Sequence, residues 1–217
     1  MIEVIVDPQQ LEAMRARLAY IANGATKALY RALNKTASKA RTEASKMIRA
    51  TELRVPASYL NERDGSGARR LSGPADGFEF KANSTKLVAK LSARKRGTRL
   101  DRFATVEPPQ KPIVVRVKPD GWTAALPSAY WVKAKTSGGY LIVMRDEVLR
   151  SMGHRYFSGR LGYQALYTTS VHDALQNVIP AVSELMSPYL AARLQAETEW
   201  LIEQNPPPAG DGSEDAA

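Results

Sequence analysis

The sequence predicts an α+β fold with helices at both ends and an antiparallel sheet between them. Three observations predict it: helical periodicity over residues 8–63, alternation of apolar and polar residues over 78–168, and a return to helical spacing over 170–203. The 217 residues suffice for one sizeable core, so the expectation is a single domain over 1–203. Residues 204–217, rich in proline and then in small and acidic residues, form a tail expected to be disordered.

At the start, "IEVIV" is a short β-branched run. Asp7 as N-cap and Pro8 at the first helical position then open a helix of Leu11, Met14, Leu18 and Ile21, which the Asn23-Gly24 pair should end. The most regular segment runs from residue 25 to about 53. Leu29, Leu33, Ala37, Ala40, Ala44, Met47 and Ile48 recur on one of its faces, and Lys27, Arg31, Lys35 and Lys39 step by four along roughly the opposite face, with Lys46 and Arg49 in the same arc. Pro56 introduces a shorter helix with Ser58 as its cap. The connection "DGSGARRLSGPADG" follows it and lacks the Gly-Lys-Ser or Gly-Lys-Thr ending of a phosphate cradle.

The period then changes to two. "FEFKA" and "TKLVAKLSA" around Asn83 and Ser84 predict a hairpin, "IVVRVKPDGW" a strand closed by a Pro-Asp-Gly turn, and "SAYWVKAKTSGGYLIVMRD" a second hairpin turning at Gly138 and Gly139. "GYQALYTTS" adds an edge strand, for four to five strands in all. Between the second and third lies "LSARKRGTRLDRF", a long basic loop that sets Arg94, Lys95, Arg96, Arg99 and Arg102 against Asp101. Beyond the sheet, Ser170 and Asp173 stand at capping-box spacing before a terminal helix, which Pro180 and Pro188 should kink or restart.

The net charge is +9, and the tail residues Asp211, Glu214 and Asp215 have no cation beside them, which leaves +12 on residues 1–203. A body so basic attracts polyanions, whether nucleic acid or an acidic protein surface. The catalytic inventory is thin. There is no cysteine, so disulfides, thiolate metal sites and cysteine nucleophiles are excluded. His154 sits in a Gly- and Arg-bearing loop and His172 in the first turn of the terminal helix, without paired carboxylates or metal-ligand spacing near either. No enzyme activity, metal or cofactor is expected. Neither is a membrane span or an export signal, because no apolar run is long enough.

Two cationic elements remain as candidate contacts. The loop offers Arg94, Lys95, Arg96, Arg99 and Arg102, and the long helix offers Lys27, Arg31, Lys35 and Lys39, whose face reads equally well as solvated surface. Neither carries a sequence-reading motif, so phosphates or acidic side chains would be held without base specificity. The aromatics from Tyr130 to Tyr167 are attributed to sheet packing before any stacking role.

The helix "ALYRALNKTASKARTEASKMIRATELRV", the hairpin "LPSAYWVKAKTSGGYLIVMRD" and the entry "YTTSVHDALQ" into the last helix occur in an order that resembles the bacteriophage minor tail protein Z family, over roughly residues 8–203. "ARKRGTR" matches that family's basic loop in location and charge. The acidic tail and "RSMGHRYFSGR" depart from it. The resemblance implies a nonenzymatic virion protein, a tail completion subunit at the head-proximal end of a phage tail tube, assembled in the host cytoplasm. It further implies a homo-oligomeric ring, a hexamer, in contact with tail terminator, tail tube and head connector proteins and with a double-stranded DNA end. Two alternatives stand beside it: a sequence-nonspecific nucleic-acid-binding protein, and a related head-tail connector or tail terminator.

Overall fold

The computed structural model describes residues 8–63, 69–73, 81–134, 139–152 and 162–207. The expected strand at 2–6, the N-cap Asp7, strand residues 78–80, Gly138, His154 and the tail from 208 lie outside the described residues. The class is α+β, as expected. The helices are α1 Pro8–Arg17, α2 Gly24–Met47 continued by a π-helical turn Ile48–Glu52, α3 Ala57–Asn61, α4 Asp146–Ser151 and α5 Val171–Gln204. The strands are β1 Leu71–Ser72, β2 Ser92–Ala93, β3 Gly97–Arg99, β4 Ile113–Val115, β5 Ala124–Leu126, β6 Ala129–Lys133, β7 Tyr140–Arg145, β8 Tyr163–Ala165 and β9 Tyr167–Ser170. The chain packs as two compact units, Met1–Arg41 with Gly73–Leu91 and Pro180–Ala217, and Thr42–Ser72 with Ser92–Ile179.

The first unit is helical. Met14 and Leu18, Ala28, Leu29, Ala32 and Leu33 of α2, and Leu190, Leu194 and Leu201 of α5 share one buried cluster with Ala82. The alanines of α2 are thus packing residues inside the chain, where a small side chain lets helices approach closely. Asn23 takes the left-handed conformation (φ 57°) just before α2, so the Asn23-Gly24 pair marks the start of α2, while α1 has already ended at Arg17.

Residues 81–91 do not form the expected hairpin arm. Asn83 does make a turn, its Oδ1 accepting from the backbone N–H of Thr85 and Lys86 at 3.0 and 2.7 Å. The chain before that turn bonds to a helix instead of a strand. Asn34 Nδ2 donates to the Ala82 carbonyl and the Ala82 N–H donates to Asn34 Oδ1, both at 2.8 Å. An amide side chain presents the same donor and acceptor as a strand edge, so it satisfies Ala82 without a ladder.

The second unit holds the strands, and the sheet expected as one is divided into a three-stranded sheet β6–β7–β8 and the pairs β1–β2, β3–β9 and β4–β5, all antiparallel. The predicted β6–β7 hairpin forms, with Ala129 opposite Met144 and Lys133 opposite Tyr140. Ile142, Val143 and Met144 of β7 are buried in succession, as befits the central strand of three. "GYQALYTTS" supplies two strands, β8 at the edge beside β7, and β9 beside β3.

The basic stretch is the main departure. Expected as an exposed loop, it contains β2, β3 and a 3-10 turn Leu100–Phe103, and its Leu91, Thr98, Leu100 and Phe103 are buried. A 3-10 turn eclipses residues i and i+3, so Leu100 and Phe103 share the inner face and Arg102 is left on the outside. Next to it, β3 can lie against β9 because position 97 is glycine. A Cβ there would stand 2.8 Å from the Thr168 carbonyl oxygen, which is backbone and cannot turn aside.

α5 starts at the predicted capping box. Ser170 Oγ accepts from the Asp173 N–H at 3.0 Å and donates to Asp173 Oδ2 at 2.7 Å, which holds the Asp173 carboxyl below its usual range. The helix does not restart at Pro180 or Pro188, which lie within it. Both prolines are exposed, as are Gln176 and Glu184 four residues earlier, whose carbonyls lose their helical donors. Pro56, not Ser58, stands at the N-cap of α3, and no side chain caps that helix.

Two substitutions test these anchors by chemical denaturation. Gly97→Ala should cost about 1–3 kcal/mol, because β3 must move off β9. Ser170→Ala should cost about 1 kcal/mol through loss of the cap.

Candidate functional site

The folding of residues 91–103 decides where the basic side chains go. Alternation in β3 buries Thr98 and turns Arg99 to the other face. The buried pair Leu100 and Phe103 leaves Arg102 outward, and Arg94 follows β2. Antiparallel pairing of Leu71 with Ala93 sets Arg70 opposite Arg94, whose N–H donates to the Arg70 carbonyl at 3.0 Å. A single bridge between Arg63 and Arg69 turns the preceding chain back beside β1.

The result is a cleft of about 440 Å³ in the second unit, lined by Arg63, Arg70, Arg94, Arg96, Arg99 and Arg102. Tyr59 and Tyr167 also line it, and Leu141, Ala165 and Val171 give it an apolar side. Two aromatic rings orient three of the guanidiniums. Tyr59, buried at 6% exposure, has Arg70 at 4.0 Å and Arg102 at 4.7 Å from its ring centroid. Arg70 Nη1 also donates to the Tyr59 carbonyl at 2.9 Å. The Tyr167 ring lies 5.7 Å from Arg96, whose Nη2 donates to the Tyr167 hydroxyl at 3.2 Å. Arg99 stands opposite Tyr167 in the β3–β9 register.

Among the described residues, Glu62 and Asp101 contact this group, and their titrations differ in direction. Glu62 accepts from Arg70, and that bond holds its carboxyl below the usual range. Asp101 accepts from Arg99 Nη2 at 3.1 Å, yet burial pushes its carboxyl up by more than Arg99 and Arg102 pull it down. As the pH falls, Asp101 takes up a proton sooner than an ordinary aspartate does. Arg99 then loses its counter-charge while Glu62 keeps its own.

Guanidiniums carry a planar fork of donors suited to paired oxygens, and they stay charged at any working pH. Several in one cleft repel one another, and an anion with multiple oxygens relieves the repulsion. The cleft is therefore a candidate site for a polyanion. Of the residues singled out in the sequence, Arg94, Arg96, Arg99 and Arg102 are brought together here, whereas Lys95 is exposed and does not line the cleft.

The helical candidates meet a different fate. Lys27 and Lys39 are exposed, but Arg31 and Lys35 close on Glu197 of α5, whose side chain is only 3% exposed. Lys35 donates to Oε1, and Arg31 Nε sits 2.9 Å from Oε2 as a charge contact without hydrogen-bond geometry. The Arg31 guanidinium also lies 3.9 Å from the Trp200 ring centroid. Two of the four cations on this face are thus held within the first unit.

Arg63, Arg70 and Tyr59 were not candidates in the sequence. Arg70 stands in "GARRL", inside a stretch that reads as a connection, and only the β1–β2 register brings it to Arg94. His172 lies 3.5 Å from Asp173 Oδ1 beside the helix cap. Among the described residues, no three His, Asp or Glu side chains gather as a metal site, and no helix is long and apolar enough to cross a membrane. No protein-family model, curated protein or solved structure matches this chain.

The Asp101 carboxylate should tune the cleft. Asp101→Asn should bind a short oligonucleotide more tightly, with a salt dependence steeper by about one contact, when affinity is followed by fluorescence anisotropy over a salt series. The wild type should gain affinity as the pH falls through the raised Asp101 pKa, and the variant should lack that gain.

Proposed function

We propose that the chain is a nonenzymatic structural subunit of a phage virion: a tail completion protein at the head-proximal end of the tail tube, which holds a polyanion in its arginine cleft. The observation that carries the polyanion part is the convergence of six guanidiniums in one cleft, set by the β1–β2 and β3–β9 backbone pairing. The virion part rests on the family resemblance. It is supported by the order of the cationic helix α2, the β6–β7 hairpin and the capped entry into α5.

In this reading copies of the chain form a ring, a hexamer, that joins the tail terminator and tail tube on one side and head connector proteins on the other. A ring repeats one cleft per subunit and so concentrates positive potential around the end of the genome. Phosphates would be held without regard to sequence. No cofactor enters this role.

One observation favours a second reading. All six arginines of the cleft converge within the second unit of one chain, and in this reading the protein holds nucleic acid as a free monomer with no virion role. The two readings separate in the cell. Particles assembled without the protein should accumulate as filled heads and unjoined tails under the electron microscope. Joined virions that deliver DNA normally would overturn the tail completion role.

A further inference from the structure

We infer that the cleft takes one unpaired nucleic-acid strand, with consecutive phosphates on its arginines and one base on the exposed ring of Tyr167. The inference deepens the polyanion part of the proposed function and rests on it.

Size comes first. A cleft of about 440 Å³ falls within the range of small-ligand pockets. It suits a nucleotide unit of one strand. A duplex, whose major groove alone is about 12 Å wide, can only lie across its mouth. A strand whose bases are not paired can bend its backbone into the cleft and turn a base aside.

The two tyrosines then differ in what they can do. Tyr59 is buried and its ring is taken up by Arg70 and Arg102, so it aims cations. Tyr167 is 44% exposed, which packing in the β3–β9 pair does not explain. It is nevertheless fixed in place. Its hydroxyl is held by Arg96, and its Cβ lies against Gly97, 3.1 Å from where a side chain at that position would begin. A fixed, exposed ring beside a row of guanidiniums is the arrangement that binds single strands, because every base offers a flat face to stack while the cations follow the backbone.

An acidic peptide would satisfy the guanidiniums equally well through its carboxylates. It would leave the Tyr167 ring without a planar partner. Stacking tolerates any base, so the strand is bound with little sequence preference.

The test uses the full chain and a labelled oligothymidylate of about a dozen nucleotides, compared with a blunt duplex of equal length and with poly-glutamate of equal charge as competitor. The single strand should bind more tightly than the duplex, and poly-glutamate should displace it poorly. Tyr167→Leu should weaken the strand by about tenfold and the duplex much less. Arg96→Gln, at an exposed position, should lower the salt slope for the strand by about 0.7, with the thermal melt of both variants as the control on folding.

Duplex binding as tight as the strand, an unchanged affinity in Tyr167→Leu, or equal displacement by poly-glutamate would overturn the inference, the last in favour of an acidic protein partner. Strand binding through the cleft, combined with normal joining of particles that lack the protein, would uphold the inference and remove the tail role. No binding of either nucleic acid, combined with a joining defect, would do the reverse.

Discussion

The approach of β3 to β9 at Gly97 is the contact on which the arginine cleft depends. The close backbone contact there coincides with a one-residue shift in register between Gly97 and Thr98, and the pairing of the residues beyond follows from that shift. That register sets Arg99 across from Tyr167, sends the 3-10 turn inward at Leu100 and Phe103, and leads β9 into the Ser170–Asp173 cap of α5. The glycine stands in the middle of the most basic run in the chain, where it reads at first as loop punctuation. Its place there is a matter of space: the backbone between the cations passes so close to Thr168 that no Cβ fits at this position.

The same residue types are treated in opposite ways in the two units. In the first, Arg31 and Lys35 share the buried Glu197, and the Arg31 guanidinium also rests on Trp200. Their charge is spent within the fold. In the second, the guanidiniums are aimed by the faces of Tyr59 and Tyr167, which orient a cation without cancelling it. The carboxylates that do reach them are unequal: Glu62 is stabilised as an anion by Arg70, while burial works against the charge on Asp101. A cluster whose guanidiniums are oriented by aromatic faces is prepared to receive an outside anion.

Helices were legible in the sequence because their signals are local. The apolar face of α2, the cap at Ser170 and the β6–β7 hairpin follow from residues within a few positions of one another. The cleft was half legible. Composition picked out Arg94, Arg96, Arg99 and Arg102, but Arg63 and Arg70 join them through strands of two residues, too short to leave an alternating pattern. Alternation misled at residues 81–91, which hold no strand and in which the neighbours Leu87 and Val88 are both exposed. At Ala82, Asn34 takes the place of a partner strand. The basic run also misled, since its charge hid the buried Leu91, Leu100 and Phe103.

α5 illustrates a last consequence of local chemistry. Its 34 residues form one helix by geometry, yet Pro180 and Pro188 each remove a rung from its hydrogen-bond ladder. Fraying that begins at one end must cross two gaps where no amide holds the turn before it. Each missing rung is a place where local opening can stop, so amide protection is expected to change in steps along the helix. The segment headed by the Ser170 cap can thus stay closed while the last turns before Gln204 open and reclose.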